Sequence, residues 1–467
     1  MNVHDVGSHI EERIADHFVS TSWSSLPASS RGQAVRAVLW WIATALEGAT
    51  EPDQARLIQY VAGRGGATEA TILGSDIQGS AELAGLVNGR AAKAWEHEDK
   101  YWVNESIGFG VGCCVVSAAV AAAEARGGVT GHELITAVAL GIDFEIRLLR
   151  PLGLGFVPGS AVANATFVLG TYGAALAAGK IYGLDRSEFL DALGIAHSQA
   201  AGNFQGQFEG RGVALQAGVA VRNGLESARL ASLGMEGPRA SITGVAGLYQ
   251  VHYPRSAVDF ESIVEGLGQH FFVDELGFKG YPCGIVAHPA IDAAASVRNA
   301  IAGRGIEAIE ITGPESLSIM AQPLERKRAP RTSIEAQFSI PWAVACALRD
   351  GGFTIEHCTD GALGNEDLLG LSDRVCIEMS PTTTGTTVRV VLADGTVIEP
   401  PTVMAAKGHP LNPLSTSTIR DLVLHSAGRV GIRRSSTEKA VDLLLDVDSL
   451  SDIRTIMQLL SDHDRTS

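Results

Sequence analysis

The segment GHELITAVALGIDFEIRLLR, residues 131–150, repeats apolar side chains at intervals of three and four. This spacing predicts an α-helix with a buried face, because residues three and four apart lie on the same side of a helix. Segments with the same pattern end at a glycine or break at Gly183-Leu184-Asp185. They are residues 33–49, 171–202 and 214–234. Their many alanines and glycines predict close helix packing, and we expect residues 1–269 to form a large all-helical domain.

The sequence pattern changes near residue 270. Residues 305–313 and 387–400 alternate as β-strands do, and Asp394-Gly395 supplies a hairpin turn within the second segment. Two further segments have helical spacing: residues 288–303 and 341–351.

These patterns predict a smaller α+β domain over residues 270–407. Helical spacing returns over residues 408–467, and we expect this C-terminal segment to pack back on the first domain. The expected fold class is therefore mainly α, a large all-helical domain plus a smaller α+β domain.

The composition indicates a globular protein that binds neither nucleic acid nor membranes. Hydrophobic residues make up 46% and charged residues 19% of the 467 residues, and the formal net charge is −16. Excess negative charge disfavours nucleic acid and anionic membrane surfaces. The six cysteines form no C-x-x-C pair, and the N-terminal segment lacks the apolar stretch of a signal peptide. We therefore expect a cytoplasmic protein with reduced thiols, in which residues 107–123 form a buried helix.

The segment NGRAAKAWEHEDKYW, residues 88–102, places Glu96, His97, Glu98 and Asp99 in consecutive positions. Three interpretations are open: an acid/base cluster, a metal site, or a solvated charged turn. Zinc needs about three or four converging ligands, and no second histidine lies at ligand spacing, so a metal is disfavoured. Neighbouring side chains around a helix or turn point in different directions, so at most one or two of them can face a pocket.

A second charged segment is GFKGYPCGIVAHPAID, residues 277–292. Here Lys279, Tyr281 and His288 flank a Gly/Pro turn that leads into a helix. This arrangement favours binding of an anionic or carbonyl group. The alternative is that Lys279 is solvated and His288 only caps the helix.

Several segments in order along nearly the whole chain resemble the MmgE/PrpD family. That family includes 2-methylcitrate dehydratase, cis-aconitate decarboxylase and iminodisuccinate epimerase. The resemblance implies a homodimer with its active site in the cleft between the two domains, a small-molecule substrate, and no metal or organic cofactor. The segments that carry it are LAGLVNG, AAAEARGGVTGHELITAVALGIDFEIR, GTYGAALAAGKIYGLD, LGIAHSQAAG, LASLGMEGP, KGYPCGIVAH, FSIPWAVACAL and KGHPLNPLS.

The opening charged segment corresponds to the family's acidic motif, which usually reads N-G-x-x-x-H-x-x-D-x-D-D. Lys93 stands at the histidine and Glu96 at the first aspartate, while Glu98 and Asp99 stand at the last two. The resemblance implies that Glu96, with Asp99 or His97 behind it, acts as the base and that Lys93 contacts the substrate.

Other family positions are not preserved. Gly110 stands where a histidine is usual, Asn164 replaces the histidine of a G-F-H-x-T motif, and Val213 replaces the lysine of a T-K-R-x-x-A-G motif. Lys279 and His288 match the last motif.

The remaining site residues follow from the same resemblance. It implies that Lys279, Tyr281 and His288 hold and polarise a carbonyl or carboxylate. Arg211 is a replacement cation near the lost lysine, and Asn164 contacts the substrate.

The lost groups favour a substrate other than citrate. Dehydrating a citrate needs a base, an acid and cations for several carboxylates, and, besides the histidine replaced by Lys93, this chain lacks two further family imidazoles and one ammonium. Because removing one general acid or base typically costs about 10²–10⁴-fold in rate, we expect neither 2-methylcitrate dehydratase nor cis-aconitate decarboxylase activity. The expected reaction is of lyase or isomerase type: elimination, epimerisation or rearrangement.

Two alternatives remain open. A biosynthetic cyclase would use a shaped apolar cleft, in which proximity supplies much of the rate. A non-catalytic family member would only bind a ligand. The shape and lining of the cleft distinguish these possibilities. A cavity lined by both Glu96 and His288, with Lys279 close by, would favour acid/base chemistry. An apolar cavity would favour the cyclase, and a collapsed cleft would favour the non-catalytic protein.

Overall fold

A computed structural model of the protein describes residues 8–103, 108–152, 163–209, 212–254 and 258–464. The predicted mainly α fold class is confirmed. The helices before residue 270 are α1 (Ser8–Ser20), α2 (Ala28–Ala49), α3 (Pro52–Arg64), α4 (Ala81–Lys93), α5 (Gly112–Arg126), α6 (Gly131–Leu149), α7 (Ala165–Tyr182), α8 (Arg186–Gln199), α9 (Gln205–Glu209), α10 (Val213–Ser232), α11 (Leu248–His252) and α12 (Glu261–Val264).

The segment with which the sequence analysis opens forms α6. Its start is fixed by a capping box in which the Thr130 hydroxyl accepts from the Glu133 N–H and the Glu133 carboxylate accepts from the Thr130 N–H. Close packing surrounds it, since a Cβ on Gly141 would lie 2.7 Å from a Val115 methyl and 3.0 Å from Ala177. Helices α5, α6 and α7 therefore approach one another at distances that only glycine permits at this point.

The predicted buried helix within residues 107–123 is α5, and its residues from Gly112 to Glu124 are buried. Within the described segments, no helix has the length and apolar composition needed to cross a membrane.

The helical region has one continuous hydrophobic core that also includes the C-terminal helices. Those helices are α20 (Thr416–Arg429), α21 (Arg434–Leu445) and α22 (Arg454–Leu459). Ile419, Val423 and Leu444 are buried in the same core as Trp40 of α2 and Phe144 of α6. The domain boundaries at 269/270 and 407/408 stay predictions.

A second core fills the region between residues 281 and 403. Its strands are β6 (Ile306–Pro314), β7 (Val375–Ser380), β8 (Thr387–Leu392) and β9 (Val397–Ile398). Its helices are α13 (His288–Ile301), α14 (Ser318–Ala321), α15 (Leu324–Arg328), α16 (Ser333–Gln337), α17 (Ile340–Asp350), α18 (Asp360–Leu363) and α19 (Glu366–Asp373).

The sheet of this second core has the order β7-β6-β8-β9. β6 pairs in parallel with β7 and antiparallel with β8, which in turn pairs antiparallel with β9. The two predicted strand segments and their hairpin are confirmed, and Gly395 adopts φ +82° in the turn. The sequence pattern did not indicate β7.

Short strand ladders, which the sequence analysis did not predict, occur inside the helical region. β1 (Ala70–Thr71) pairs with β2 (Gln78–Gly79), and a three-stranded sheet has the order β4-β3-β5. In that sheet β3 is Asp99–Trp102, β4 is Gly108–Phe109 and β5 is Leu276–Phe278. The expected helix or turn around the acidic segment holds as far as Glu96, which lies in a turn after α4, whereas residues 99–102 form the strand β3.

Candidate active site

Glu96 lies in a sharp turn that follows α4. It is the one non-glycine residue in the described part of the chain with a left-handed backbone, at φ +51°. This conformation costs about 1–2 kcal/mol for an L-residue, and such strain is concentrated at functional sites. The chain then enters β3, where Asp99 lies opposite Phe278 of β5. Because Lys279 follows β5 directly, the strand pairing brings it beside the turn that holds Glu96.

Two carboxylates and three ammonium groups form a buried group that we call the carboxylate–lysine cluster: Glu96, Glu98, Lys93, Lys100 and Lys279. Lys279 is fully buried, and its Nζ donates to the carbonyl oxygen of Glu96 at 2.6 Å and to Glu96 Oε2 at 3.0 Å. Glu98 Oε1 lies 2.7 Å from Lys100 Nζ, 3.1 Å from Lys93 Nζ and 3.3 Å from Lys279 Nζ. Lys93 also forms an ion pair with Glu96.

The ammonium groups keep both carboxylates of the cluster ionised. Burial and the neighbouring Glu98 would raise the pKa of Glu96, but Lys279 and Lys93 together hold it below its ordinary value. Burial also opposes ionisation of Glu98, yet Lys100 and the other two lysines hold its pKa well below the usual range. Glu96 is therefore a carboxylate at neutral pH and is able to accept a proton.

Tyr281 and His288 lie behind this cluster. Their rings meet edge to face with centroids 5.3 Å apart, and the Tyr281 hydroxyl donates to Asp292. His288 Nε2 lies 3.3 Å from the Cys283 carbonyl oxygen. Burial and the charge of Lys279 lower the pKa of His288 to about 3, so its imidazole is neutral at physiological pH. The burial of Lys279 excludes the alternative in which that lysine is solvated.

The structure turns His97 and Asp99 away from Glu96. His97 Nδ1 lies 2.7 Å from Glu47 Oε2, and the His97 carbonyl oxygen accepts from the Trp40 indole at 2.8 Å. Asp99 Oδ2 accepts from the N–H of Gly112 at 2.7 Å, at the start of α5. Burial raises the pKa of Asp99 to about 6. Both side chains therefore bind other parts of the helical region.

Two candidate residues from the sequence analysis remain, Asn164 and Arg211. Asn164 is buried just before α7, and its backbone N–H donates to the Gly202 carbonyl oxygen at 3.2 Å. Arg211 lies outside the described residues.

A cavity of about 370 Å³ lies between the two hydrophobic cores. Lys93 and Glu96 form part of its wall, and neither Lys279 nor His288 is among the described residues that line it. Its lining residues are Glu51, Asp53, Arg56, Leu57, Tyr60, Arg90, Lys93, Ala94, Glu96, Gly212, Val213, Ala214, Leu215, Ser333, Ile334, Gln337 and Phe338. Lys279 therefore contacts the wall through Glu96 and lies behind it, and the expected cavity lined by both Glu96 and His288 is not found among the described residues.

Each cation that lines this cavity faces a carboxylate from the same wall. The pairs are Arg90 with Glu51, Arg56 with Asp53, and Lys93 with Glu96. The wall also includes the apolar side chains of Leu57, Leu215 and Phe338. The cavity thus combines paired charges with apolar surface, and no cation in its described wall lacks a carboxylate partner.

Sequence reasoning missed Lys100 as the third cation of the cluster. Its position within a charged run, seven residues after Lys93, was the available signal, but only the β3–β5 pairing shows that it faces Glu98.

A second missed group is Glu145 on α6. It is buried among apolar helices, and its Oε2 has no hydrogen-bond partner within the described segments. Burial, together with Cys113 and Asp99, raises its pKa well above the usual value.

This shift predicts a pH-dependent stability effect of Glu145→Gln. The pKa of Glu145 is higher in the folded than in the unfolded protein. Below the unfolded pKa the carboxyl is neutral in both states and does not affect stability. As the pH rises above the unfolded pKa, the wild-type protein becomes less stable, because only the unfolded state gains from ionisation. The unfolding free energy of Glu145→Gln minus that of the wild type should therefore increase by about 1.4 kcal/mol per pH unit between about pH 5 and 8, and level off once the folded pKa is passed. Urea unfolding across this range measures the slope, and a pH-independent difference would contradict the prediction.

Comparison with known proteins identifies relatives along almost the whole chain. The MmgE/PrpD N-terminal domain matches residues 12–261, and the MmgE/PrpD C-terminal domain matches residues 281–446. Cis-aconitate decarboxylase of Mus musculus is 24% identical over 421 residues, covering 84% of this chain and 81% of the relative. The Homo sapiens protein of the same name is 25% identical, with 82% and 80% covered. Cis-aconitate decarboxylase-like protein oryM of Aspergillus oryzae is 24% identical, with 94% of each chain covered.

Proposed function

The chain belongs to the MmgE/PrpD family, and from this premise we propose that it is a cofactor-independent enzyme of lyase or isomerase type. Its acid/base chemistry takes place in the cavity between the two cores, on a substrate less anionic than citrate. The observation that carries the proposal is Glu96, which is held in a strained turn on the cavity wall beside the buried ammonium groups of Lys93 and Lys279. A lyase is also what the names of the relatives indicate.

In the proposed mechanism Glu96 removes a proton from a carbon next to a carbonyl or carboxylate. The C–H electron pair moves toward the carbonyl oxygen, and the Lys93 ammonium stabilises the charge that develops there. The ion pair with Lys93 lowers the basicity of Glu96, so a substrate oxygen that recruits this ammonium raises the basicity of Glu96 as it binds. Protonation of the other face by a water molecule gives epimerisation, with Glu96 keeping the proton it removed until solvent takes it, and departure of a neighbouring leaving group with its bonding electron pair gives elimination.

The charges of the cavity support a substrate with few carboxylates. Its three described cations are each paired with a carboxylate, so a tricarboxylate would have to break these pairs or lie unpaired beside Glu96. Breaking the largely buried pairs of Arg90 with Glu51 and of Lys93 with Glu96 would be costly, whereas the exposed pair of Arg56 with Asp53 contributes little. The apolar side chains of the wall suit an uncharged portion of the substrate, and the volume of about 370 Å³ lies in the range of small-molecule sites.

We expect purified protein to convert neither cis-aconitate nor 2-methylcitrate. The reason is the loss of the family histidines at Lys93, Gly110 and Asn164 and of the lysine at Val213, together with the paired cations of the cavity. Carbon dioxide release and proton NMR measure the two reactions, with a cis-aconitate decarboxylase as positive control. Turnover above about 1 s⁻¹, within the ordinary enzymatic range, on either compound would contradict the proposed substrate class.

A biosynthetic cyclase is the second candidate function. The apolar side chains of Leu57, Leu215, Ile334 and Phe338 are the observation that favours it, because such a wall can hold a flexible apolar substrate in a reactive conformation. The presence of an open cavity supports either enzyme over a protein that has lost its site. The homodimer, the cytoplasmic location and the absence of a nucleic-acid partner stay predictions.

A further inference from the structure

A surface depression of about 550 Å³ lies at the start of α2, and it shares no lining residue with the cavity that contains Glu96. We infer that this depression is a second ligand site, which binds an organic anion through a carboxylate or phosphate group. Its walls come from Trp23, from Arg31 and Arg36 of α2, and from the C-terminal segment at Thr416 and Val447. The inference does not depend on the reaction proposed for the cavity at Glu96.

Arg31 is held in position by an aromatic stack. Its guanidinium carbon lies 4.8 Å from the centre of the Trp23 ring, and the same ring stacks on His132 with centroids 4.2 Å apart. His132 is fixed in turn by Asp448, with Nε2 and Oδ1 2.6 Å apart. A guanidinium packed on an aromatic face keeps its N–H groups at its edge available for an oxyanion in the same plane.

The two guanidinium groups of the depression have donors that no acceptor satisfies. The Nε atoms of Arg31 and Arg36 are buried and have no hydrogen-bond partner in the described part of the chain. Arg36 uses one terminal nitrogen for the Leu414 carbonyl oxygen, at 2.5 Å. Among the described residues no carboxylate forms an ion pair with either arginine, although acidic residues outnumber basic ones by 52 to 36. Because these two Nε atoms expose almost no surface, an oxyanion would bind instead to the terminal N–H groups of Arg31, which no acceptor occupies in the described part of the chain.

The carboxylate in the lining does not neutralise these arginines. Asp274 Oδ2 accepts instead from the Ser29 hydroxyl at 2.8 Å. The charged groups of the lining are thus two guanidiniums and one carboxylate, which leaves a net positive charge in a protein of formal net charge −16. A local excess of this sign attracts an anion.

The first turn of α2 adds to this positive potential. α2 has 22 residues, and Pro27 at its N-cap supplies no side-chain hydrogen bond to the first N–H groups. The N-terminal end of a helix carries a partial positive charge and exposed N–H donors. This end therefore supports the two arginines in favouring an oxyanion.

The rest of the lining indicates the remainder of the ligand. Val35, Leu445 and Val447 contribute apolar surface, and the depression is much larger than one carboxylate or phosphate group. The ligand is therefore an organic molecule with one oxyanion near Arg31 and Arg36 and an apolar body toward the C-terminal helices.

Benzoate and phenyl phosphate are suitable probes because they share an apolar ring and differ in the oxyanion. Isothermal titration of the full-length protein at constant ionic strength should detect binding of at least one probe, and the stronger one identifies the preferred oxyanion. Arg31→Gln, a change at a partly exposed residue, should weaken that binding about tenfold, as expected for a lost charge-assisted hydrogen bond. Arg36→Gln should also weaken it.

Arg64→Gln is the matched control. Arg64 also lies over an aromatic ring, that of Tyr60 at 5.6 Å, but it is not part of the depression, so probe binding should be unchanged. Glu96→Gln should likewise leave binding unchanged, which separates this site from the proposed active site. Equal affinity in the wild type, Arg31→Gln and Arg36→Gln would overturn the inference, and so would the absence of binding by both probes.

Discussion

Glu98→Gln is expected to lower the free energy of unfolding by about 3–5 kcal/mol at neutral pH, the usual cost of breaking a buried ion pair from one side. The Glu98 side chain has no exposed surface, and its Oε1 is the common partner of Lys93, Lys100 and Lys279. The amide keeps the size of the carboxylate but removes its charge. Three buried ammonium groups would then share Glu96 as their remaining carboxylate within the cluster.

The midpoint of urea unfolding, followed by circular dichroism, measures this loss. Glu438→Gln is the matched control, because Glu438 pairs with Arg434 on the surface and exposed pairs contribute about 0–1 kcal/mol. The double variant Glu98→Gln with Lys100→Met should recover part of the stability, since it removes a cation together with the anion. A Glu98→Gln protein as stable as the control variant would contradict the structural assignment of the cluster.

The effect of Glu98 should also depend on pH in a defined direction. Its folded pKa lies well below the ordinary value of 4.5, so the stabilisation is present above that value and is lost as the pH falls toward the folded pKa. The difference between wild type and Glu98→Gln should therefore be largest near neutral pH and shrink in acid. A difference that grows in acid would show that Glu98 is not held as an ion by the three lysines.

Local sequence signals predicted most of the fold correctly. The periodicity of residues 131–150 predicted a helix because the spacing that places apolar side chains on one face is contained within the helix itself, and Asp394-Gly395 likewise encodes its own turn. β7 was missed because its alternation is weak and its parallel pairing with β6 joins segments more than sixty residues apart. A pairing of this kind leaves no signal within one short window of sequence.

The site shows the same limit. The family positions singled out Glu96 and Lys279, but the pairing of β3 with β5 that places them in contact joins residues almost 180 apart. His97 seemed a partner of Glu96 because it is adjacent in sequence. The left-handed backbone at Glu96 and the buried acceptor Glu47 instead direct the imidazole into the helical core, and neither feature is visible in the local pattern of charges.

Glu96→Gln is expected to reduce turnover about 10²–10⁴-fold, the usual contribution of a general base. The amide fills the same space but cannot accept the proton. Because the substrate is unidentified, the assay is deuterium uptake from D₂O at the carbon next to the carbonyl, followed by NMR over a panel of monocarboxylates and ketones. With the pKa of Glu96 held below its ordinary value, wild-type exchange should persist from neutral pH to about pH 5 and fall only in stronger acid.

The contacts of Glu96 indicate that this variant keeps its fold better than Glu98→Gln does. In this variant Lys279 keeps its hydrogen bond to the backbone carbonyl oxygen of residue 96, at 2.6 Å. Both Lys279 and Lys93 also keep their ion pairs with Glu98. Asp53→Asn is the matched control, a half-exposed carboxylate on the wall of the same cavity, and it should keep its exchange activity. If Asp53→Asn and Glu96→Gln are equally active, Glu96 is not the base. The apolar side chains of the cavity, Leu57, Leu215 and Phe338 among them, would then shape the substrate for reaction, as the cyclase alternative requires.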